Sequence, residues 1–498
     1  MKNVSALNLL LALFLSLFVG CEDFDDYSTN PNHYLRFSVD TLSFDTIFSS
    51  VGSTTKQFVV YNPNNEALKI ESIQLANAGK SGFRINVDGR KGDGDSFKEI
   101  NIWKNDSLYI LVEVTVDPNG ANQPLVIEDS ILFYTNGNRQ SVLLQAYGQD
   151  VHLIKGGVAY SENITFTADL PYLIYDSIVV NEGATLTIEK GAALYMHHKA
   201  KLKIAGTVKA IGTQEEPIVI RGDRLDYISV NGLMLPYDRT PGLWDGIYFE
   251  QSSYENEFDY VSVRNGMFGL TFWESDTERL KMRLTNSQIT NMDSTIIMAV
   301  NCHLEVINSE LTNTAGPVLA LIGGKYQFTH CTVENRRILG KSRNHEMTTL
   351  MLCNKAKKNN KEIVHPLKQA FFDNCIISGS NTRELSLFTN DKSEEQGNDE
   401  TFNYRFNSCY IRTDSVSNSR FVNSLFSNPP RYVKMGDEED VYEYDFRLKN
   451  ESTGIGKADR VVAEKYPVDR YGVNRLTSET GPSLGAHEYV YQEEKDKK

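Results

Sequence analysis

The chain has 498 residues, enough for two or three domains. Its 65 acidic residues outnumber its 51 basic residues, and the formal net charge of −14 argues against a nucleic-acid partner, which would need a basic surface. Tyr (25) and Phe (24) are abundant while Trp (3) is scarce. Aromatic residues suit a pleated, half-buried surface, so this composition favours β-structure.

The N-terminus has the pattern of a secretory signal peptide. Lys2 supplies a positive charge, an apolar run extends from Leu9 to Val19, and the small residue Gly20 precedes Cys21. The run is too short for a stable membrane span, although a buried helix is an alternative that the sequence leaves open. We therefore predict that residues 1–20 are a lipoprotein signal peptide.

The four residues that end this segment, Phe18-Val19-Gly20-Cys21, resemble a bacterial lipobox. Phe18 stands where such motifs usually have leucine. The resemblance implies that the peptide is removed and that Cys21 carries lipid, including palmitate. Several acyl chains hold a protein on a membrane far more firmly than one. We expect the protein to be lipid-anchored in the outer membrane.

An acidic cluster follows directly, consisting of Glu22, Asp23, Asp25 and Asp26. Residues 21–35 lack hydrophobic periodicity and are rich in Asp, Ser, Asn and Pro, so they predict a solvated acidic tether. The cluster also resembles the surface-export signal of Bacteroidetes lipoproteins. That resemblance implies display on the extracellular side of the outer membrane.

Residues 36–150 consist of short alternating segments separated by turn signals. One such segment is Tyr109–Val116, and the turn Asp117-Pro118-Asn119-Gly120 follows it. Strands of this length and spacing are typical of a β-sandwich. The stretch from Phe58 to Asn65 resembles one strand and turn of an Ig-like domain. We predict an N-terminal Ig-like β-sandwich over residues 36–150.

A repeated pattern fills the later part of the chain, in which a small residue lies between two apolar segments. The small residues are separated by 22, 22, 44 and 34 residues. An internal period in the twenties is the sign of a solenoid. The step of 44 predicts an additional coil around Cys353, and the step of 34 predicts an insertion from Asp391 to Thr401. The five small residues are Ser287, Ser309, Cys331, Cys375 and Cys409.

The apolar segments are short and rich in β-branched or aromatic residues, without a 3.6-residue period between them. A parallel β-helix is therefore favoured over leucine-rich repeats, and its coils must stack because one coil cannot bury its inner face alone. The five small residues should form a ladder at one interior corner, where a free cysteine packs as a small hydrophobic residue. The widely spaced cysteines do not form a disulfide framework.

Two further elements resemble the right-handed parallel β-helix repeat lipoproteins of Bacteroidetes. They are Gly242-Leu243-Trp244-Asp245-Gly246-Ile247 and Leu484-Gly485-Ala486-His487-Glu488-Tyr489. The second resembles a terminal cap ending in Asp-Ile-Gly-Ala-Tyr-Glu, from which Leu484 and His487 depart. The resemblance implies a right-handed parallel β-helix with a C-terminal cap over residues 151–490, followed by a charged tail over residues 491–498. This fold carries lyases, hydrolases, adhesins and scaffolds, so it does not specify a function.

The sequence lacks the motifs of known β-helix enzymes, which favours a non-catalytic protein and leaves enzyme activity as an open alternative. The Asn-Thr-Asp and Gly-His-Gly motifs of polygalacturonases do not occur. His197 and His198 are adjacent on a predicted strand and point to opposite faces, so they cannot chelate one metal. The loop Arg90–Ser96 lacks the later glutamate of an EF-hand. We predict no catalytic residue, no metal site and no cofactor.

A basic run stands out in this acidic chain, formed by Lys355, Lys357, Lys358 and Lys361. It predicts either a solvated insertion loop or a docking loop for an acidic partner. The second alternative is open because loops on a rigid scaffold often carry function.

These observations favour a non-catalytic, surface-exposed outer-membrane lipoprotein that acts as an interaction scaffold. It would be an accessory subunit of an outer-membrane β-barrel complex for protein assembly, export or nutrient uptake. The alternatives are a polysaccharide-binding or polysaccharide lyase-like β-helix protein, and an adhesin. The partners expected are the membrane through the lipid anchor, an outer-membrane protein and a candidate glycan, with no nucleic acid.

Overall fold

A computed structural model describes residues 27–92, 96–120, 124–343, 346–358, 361–389, 400–416, 418–436 and 442–493. The side chains of Lys91, Lys357, Lys358 and Lys361 lie outside this description. So do the predicted signal peptide, Cys21 and the acidic cluster behind it. The chain divides into two compact units, Met1–Gln149 and Asp150–Lys498. Within the described residues, no helix has the length and apolar character needed to cross a membrane.

The first unit contains two five-stranded sheets. Neighbouring strands are antiparallel, except that β2 and β10 run parallel. In spatial order, one sheet consists of β1 (Arg36–Phe37), β3 (Lys56–Tyr61), β8 (Ser107–Val114), β5 (Phe83–Val87) and β6 (Arg90–Lys91). The other consists of β2 (Thr41–Phe48), β10 (Asn138–Gln149), β9 (Leu125–Thr135), β4 (Leu68–Leu75) and β7 (Ser96–Ile102).

Alternation along the strands builds the core of this unit. In β8, Leu108, Ile110 and Val112 are buried while the residues between them are more exposed, because successive side chains of a strand point to opposite faces. Ile131 and Phe133 of the other sheet join the same core. Burying one such side chain stabilises the fold by about 1.5–3 kcal/mol.

The second unit is built on three long parallel sheets, named A, B and C. Sheet A consists of β11 (His152–Ile154), β14 (Tyr172–Ile174), β17 (Ala193–Met196), β20 (Ile218–Gly222), β25 (Val261–Arg264), β28 (Gln288–Met292), β31 (Glu310–Thr314), β34 (Thr332–Asn335), β39 (Ile376–Gly379) and β42 (Tyr410–Ile411). Sheet B consists of β12 (Val158–Tyr160), β15 (Ser177–Val180), β18 (Lys201–Ile204), β23 (Gly246–Phe249), β26 (Phe268–Phe272), β29 (Thr295–Val300), β32 (Leu319–Ile322), β35 (Leu350–Cys353) and β40 (Leu385–Phe388). Sheet C consists of β13 (Ile164–Phe166), β16 (Thr185–Ile188), β19 (Thr207–Ile211), β24 (Asn256–Asp259), β27 (Met282–Thr285), β30 (His303–Ile307), β33 (Gly324–Thr329), β38 (Leu367–Asp373), β41 (Phe402–Asn407) and β43 (Phe421–Val422).

The chain visits sheets A, B and C in turn, and each strand pairs in parallel with the equivalent strand one turn later. Ile289 pairs with Leu311, and Leu311 pairs with Val333. All three residues are fully buried in one core that contains inner residues of the three sheets. The prediction of an all-β chain is confirmed, and the long parallel sheets are consistent with the predicted β-helix.

The predicted ladder of small residues is present at the corner between sheets C and A. The amide of Ser287 donates to Ser309 Oγ at 3.2 Å. Two and three turns after Ser287, the amides of Cys331 and Cys375 donate to the Sγ atoms of Cys375 and Cys409, both at 3.4 Å. Each of these cysteines is a free, buried thiol. Small side chains therefore serve as turn-to-turn acceptors at this corner.

The residue before each ladder position has a left-handed backbone conformation. These residues have φ values from 45° to 56°, a region in which Asn is enriched several-fold over most L-residues. The polypeptide can therefore turn sharply here without glycine. The five residues are Asn286, Asn308, His330, Asn374 and Ser408.

The prediction of an additional coil around Cys353 is wrong. Thr332 pairs directly with Ile376, so the 44-residue step is a single turn. Cys353 ends the sheet B strand of that same turn. Residues 336–349 and 354–366 lengthen the turn at its two corners, where extra residues leave the stacked strands undisturbed. Most of the predicted insertion from Asp391 to Thr401 lies outside the described residues.

In the described part of the second unit, three antiparallel hairpins and three short helices accompany the sheets. The hairpins are β21 (Tyr227–Val230) with β22 (Leu233–Pro236), β36 (Lys355–Lys358) with β37 (Lys361–Val364), and β44 (Tyr432–Met435) with β45 (Tyr444–Leu448). The helices are the 3-10 helix Tyr237–Arg239, the α-helix α1 (Arg460–Lys465) and the 3-10 helix Arg475–Thr477.

The C-terminal residues lie along the outer face of sheet A. His487 Nε2 is 2.8 Å from Glu310 Oε2, and Tyr432 donates its hydroxyl to Glu334 at 2.8 Å. Arg475 is fully buried and donates to Asn308 Oδ1 at 3.2 Å. Buried polar groups need such partners, so this segment is an integral part of the second unit.

Asn374 offers a test of the left-handed corner. Its side chain exchanges two hydrogen bonds with the backbone of Asp459, at 2.7 and 3.0 Å. Asn374→Ala loses these bonds and places Ala in a left-handed conformation, so we expect a loss of about 2–4 kcal/mol in the free energy of unfolding. Asn374→Gly should recover roughly 1 kcal/mol of it. If Asn374→Ala and Asn374→Gly lost the same free energy of unfolding in urea, the left-handed backbone at this corner would not be strained.

Candidate functional site

A groove lies along the corner between sheets B and C. Its volume is about 700 Å³. We call it the corner groove, and its lining residues are Glu250, Gln251, Ser252, Trp273, Glu274, Val300, Ala356, Ile363 and His365.

Stacked turns position one side of the corner groove. Phe249 pairs with Phe272, and Phe272 pairs with Ala299, so the residues that follow them are also neighbours. Glu250 and Trp273 each come directly after a sheet B strand. The regular spacing of the turns therefore lines up side chains that are about a turn apart in sequence.

The hairpin β36–β37 forms the other side of the corner groove. Its Ala356 and Ile363 pair in register, and both lie in the lining. The amide of His365 donates to the carbonyl of Asn354 at 2.8 Å and closes the base of the hairpin. Gly323, at φ 59°, lies so close that a Cβ there would be 2.4 Å from the Cβ of His365. Only glycine fits at this close approach.

The predicted docking lysines are on this hairpin. Lys355 Nζ is 3.9 Å from Glu362 Oε2, and the backbone of Lys358 pairs with that of Lys361 next to the hairpin turn. The side chains of Lys357, Lys358 and Lys361 lie outside the described residues. The basic run thus forms a β-hairpin that contributes its apolar residues to the corner groove.

The corner groove combines an aromatic ring, carboxylates and apolar surface. Trp273 is 38% exposed, and Glu274 Oε1 is 3.8 Å from His365 Nδ1 and 3.5 Å from Asn301 Nδ2. Ser252 donates its hydroxyl to the carbonyl of Ala205 at 2.8 Å, so it is engaged in the scaffold. An apolar cleft with a few convergent polar groups is suited to binding.

Sequence reasoning missed Trp273 and Glu274. They are the first and second residues after a buried apolar strand, which is the local signal that could have marked them. Their partner in the groove, Ile363, is ninety positions beyond Trp273 in the sequence. Only the fold brings these residues together.

A buried lysine supports the corner groove from inside. Lys281 is fully buried and donates from Nζ to the carbonyl of Glu250 at 2.5 Å. Burial lowers the pKa of Lys281 to about 8. Nearby Cys302 is also buried, and burial raises the pKa of its thiol to about 12, so it is protonated at neutral pH. This pair therefore lacks an activated thiolate.

A second, smaller cavity of about 160 Å³ lies on the outer face of sheet A. Four of its charged groups form ion pairs: Arg264 Nε donates to both carboxylate oxygens of Asp238, at 2.9 and 3.0 Å, and Arg239 is 3.4 Å from Glu443. These pairs fix the surrounding loops in place. Across the described residues, no cluster of three or more His, Cys, Asp or Glu side chains could hold a metal ion.

No protein-family model matches the chain. Protein bark beetle of Drosophila melanogaster is 34% identical over 101 residues, which are 20% of this chain and 3% of that protein. This chain therefore spans only a small part of that relative.

Three solved structures show limited similarity to this chain. A family 123 glycoside hydrolase from Clostridium perfringens has a TM-score of 0.17 at 11% identity, covering 25% of this chain and 29% of that one. The ASH/PapD-like domain of human CEP192 has 0.16 at 11%, covering 25% and 90%. The E. coli chaperone DraB has 0.17 at 8%, covering 24% and 55%. At these scores the likenesses carry no argument about fold or function.

Lys281 gives a pH-dependent prediction. Its pKa is about 8 in the folded protein and about 10.4 in an unfolded chain, so between these values the unfolded state binds more protons and stability rises with pH. We expect the unfolding free energy of the wild type, relative to Lys281→Met, to increase by up to about 3 kcal/mol from pH 8 to pH 10.5. Urea titrations of both proteins across that range measure the difference. If the unfolding free energies of the two proteins changed with pH in parallel, the pKa of Lys281 would not be lowered by burial.

Proposed function

We propose that this protein is a non-catalytic surface lipoprotein that is anchored through Cys21 and presents the corner groove to a partner. The partner would be an outer-membrane β-barrel protein in a complex for protein assembly, export or nutrient uptake. The observation that carries the proposal is the groove of about 700 Å³ bordered by a hairpin insertion. The pattern of Phe18-Val19-Gly20-Cys21 and the acidic residues after it support the anchor and extracellular display.

The position of the hairpin supports a binding role. Thr332 pairs directly with Ile376 across the turn that contains it, so the insertion is not needed for stacking. Binding residues are often on loops held by a rigid scaffold. The basic run Lys355–Lys361 would favour an acidic partner surface, because complementary charges guide association.

The finer description of the fold belongs to this proposal. We expect the turns to wind in the right-handed sense, since parallel crossover connections are right-handed in about 98% of cases. In the same proposal the first unit is an Ig-like β-sandwich that serves as a spacer. The same proposal includes the predicted C-terminal cap, whose His487 contacts Glu310 on the outer face of sheet A.

A glycan ligand is the second candidate, and a specific observation favours it. Trp273 is 38% exposed beside Glu274 and Gln251, a combination that can stack on a sugar ring and accept or donate hydrogen bonds. In that case the protein would bind a polysaccharide at the cell surface. An adhesin would use the same display arrangement with a host ligand.

The anchor is tested in the native host with a labelled fatty acid. Cys21→Ser should abolish incorporation of the label, because acylation needs the thiol. Neutralising Glu22, Asp23, Asp25 and Asp26 to amides should leave labelling intact and reduce cleavage by protease added to whole cells. Unchanged labelling of Cys21→Ser would refute the anchor, while unchanged protease access of the amide variant would refute the export signal.

The corner groove is tested by photo-crosslinking in intact cells. A photoreactive residue in place of Ile363 should form an adduct with an outer-membrane β-barrel protein. Val364 is the matched control because it is the next residue of the same strand and points to the opposite face. If Trp273 is an interface hot spot, Trp273→Ala should lower the yield of the adduct formed at position 363 by at least about tenfold.

Two outcomes discriminate between the candidates. Adducts of equal intensity from positions 363 and 364 would mean that the groove is not the contact surface. Alternatively, surface polysaccharide could quench tryptophan fluorescence in the wild type and not in Trp273→Ala, with no protein adduct formed. That result would identify a glycan, and not a protein, as the ligand of the groove.

A further inference from the structure

The hairpin β21–β22 extends the corner between sheets A and B and presents unusual surface. Residues 227–236 contain no charged side chain. Asn231 and Gly232, with φ values of 51° and 83°, form the two-residue turn between the strands. Tyr227, Leu233 and Met234 are 52%, 50% and 64% exposed. The hairpin therefore displays apolar side chains at its end.

Its base is fixed by ion pairs and packing. Arg224 donates to both oxygens of Asp226, at 2.7 and 2.5 Å, and lies 4.0 Å above the ring of Tyr237. Leu235, in the second strand of the hairpin, is buried. The amide of Tyr237 donates to the carbonyl of Asp226 at 2.8 Å and closes the base. The exposed apolar side chains therefore belong to a hairpin whose base is held by hydrogen bonds and ion pairs.

The size of this surface indicates what could cover it. Each strand has four residues, about 13 Å of chain, whereas a stable protein–protein interface buries roughly 1,200–2,000 Å². A few apolar side chains suffice for a membrane contact when another anchor already holds the protein near the lipid, because tethering raises the effective concentration. Interfacial segments enter the bilayer by about 5–10 Å, a depth that the outer part of this hairpin can reach.

The charge of the protein indicates which kind of lipid surface it can approach. The chain has a net charge of −14, so an anionic lipid surface would repel it. The arginines at the base of the hairpin are ion-paired: Arg224 with Asp226, and Arg221 and Arg264 with Asp238. We infer that the end of the hairpin β21–β22 inserts into the interface of a zwitterionic phospholipid bilayer as a second membrane contact. This inference rests on the proposed lipid anchor at Cys21.

The test places an environment-sensitive nitrobenzoxadiazole label on the full chain carrying Cys21→Ser and Met234→Cys. The five other cysteines are buried, so labelling is confined to the new thiol. Phosphatidylcholine vesicles should shift the emission of the label to the blue and raise it severalfold. Glu215→Cys, an exposed position in a polar turn of the same unit, is the matched control and should not respond. The apolar N-terminal run is present in both proteins, so it cannot produce a difference between them.

Leu233→Ser, added to the Met234→Cys protein, should reduce the response to vesicles by half or more. An unchanged emission at position 234 in the presence of vesicles overturns the inference. So does a blue shift without vesicles that grows with protein concentration, which would identify a second copy of the chain as the partner. Incorporation of fatty acid at Cys21 in the otherwise unmodified protein reports on the anchor separately, so failure of the hairpin contact and failure of the anchor are distinguishable.

Discussion

The hydrogen bonding between successive turns is the constraint on which the second unit depends. Each inner strand of sheets A, B and C pairs with the equivalent strands of the turns before and after it. A single turn cannot bury its inner face, so the turns are stable only as a stack. Equivalent side chains therefore lie above one another. Phe328, Phe372, Phe406 and Phe421 form such a column, with ring centroids 4.9, 5.0 and 5.0 Å apart.

The same constraint determines where function can be placed. The strands must keep their register, whereas the corners can lengthen without breaking the pairing on either side. The hairpins β21–β22 and β36–β37 both lengthen corners, and each exposes side chains that the core does not use. The corner groove and the proposed membrane contact are thus properties of insertions on a fixed frame.

Much of the frame could be predicted from the sequence because stacking repeats a local pattern. The small residues at 287, 309, 331, 375 and 409 mark equivalent corners, and the structure places them in one ladder. The number of turns was harder to predict. Sequence spacing counts residues in the corners as well as in the strands, so the long turn around Cys353 resembled two turns.

The candidate site could be predicted only in part. The basic run at Lys355 marked the hairpin, but the side of the groove formed by Trp273 depends on contacts between distant parts of the chain. The buried pair of His487 and Glu310 is separated by 177 positions and has no local signal. Lys281 also departs from the pattern of an apolar interior, because its partner is a backbone carbonyl that sequence does not reveal.

In our proposal, a self-sufficient stack of turns carries dispensable insertions that bind a partner. Replacing residues 356–363 by Asn-Gly tests it most directly, because Lys355 and Val364 already pair and a two-residue turn can join them. We expect an unchanged urea midpoint for the shortened protein, together with loss of the partner adducts that a photoreactive residue in place of Gln251 forms when the hairpin is intact. Unfolding of the shortened protein, or adduct formation at full yield, would contradict it.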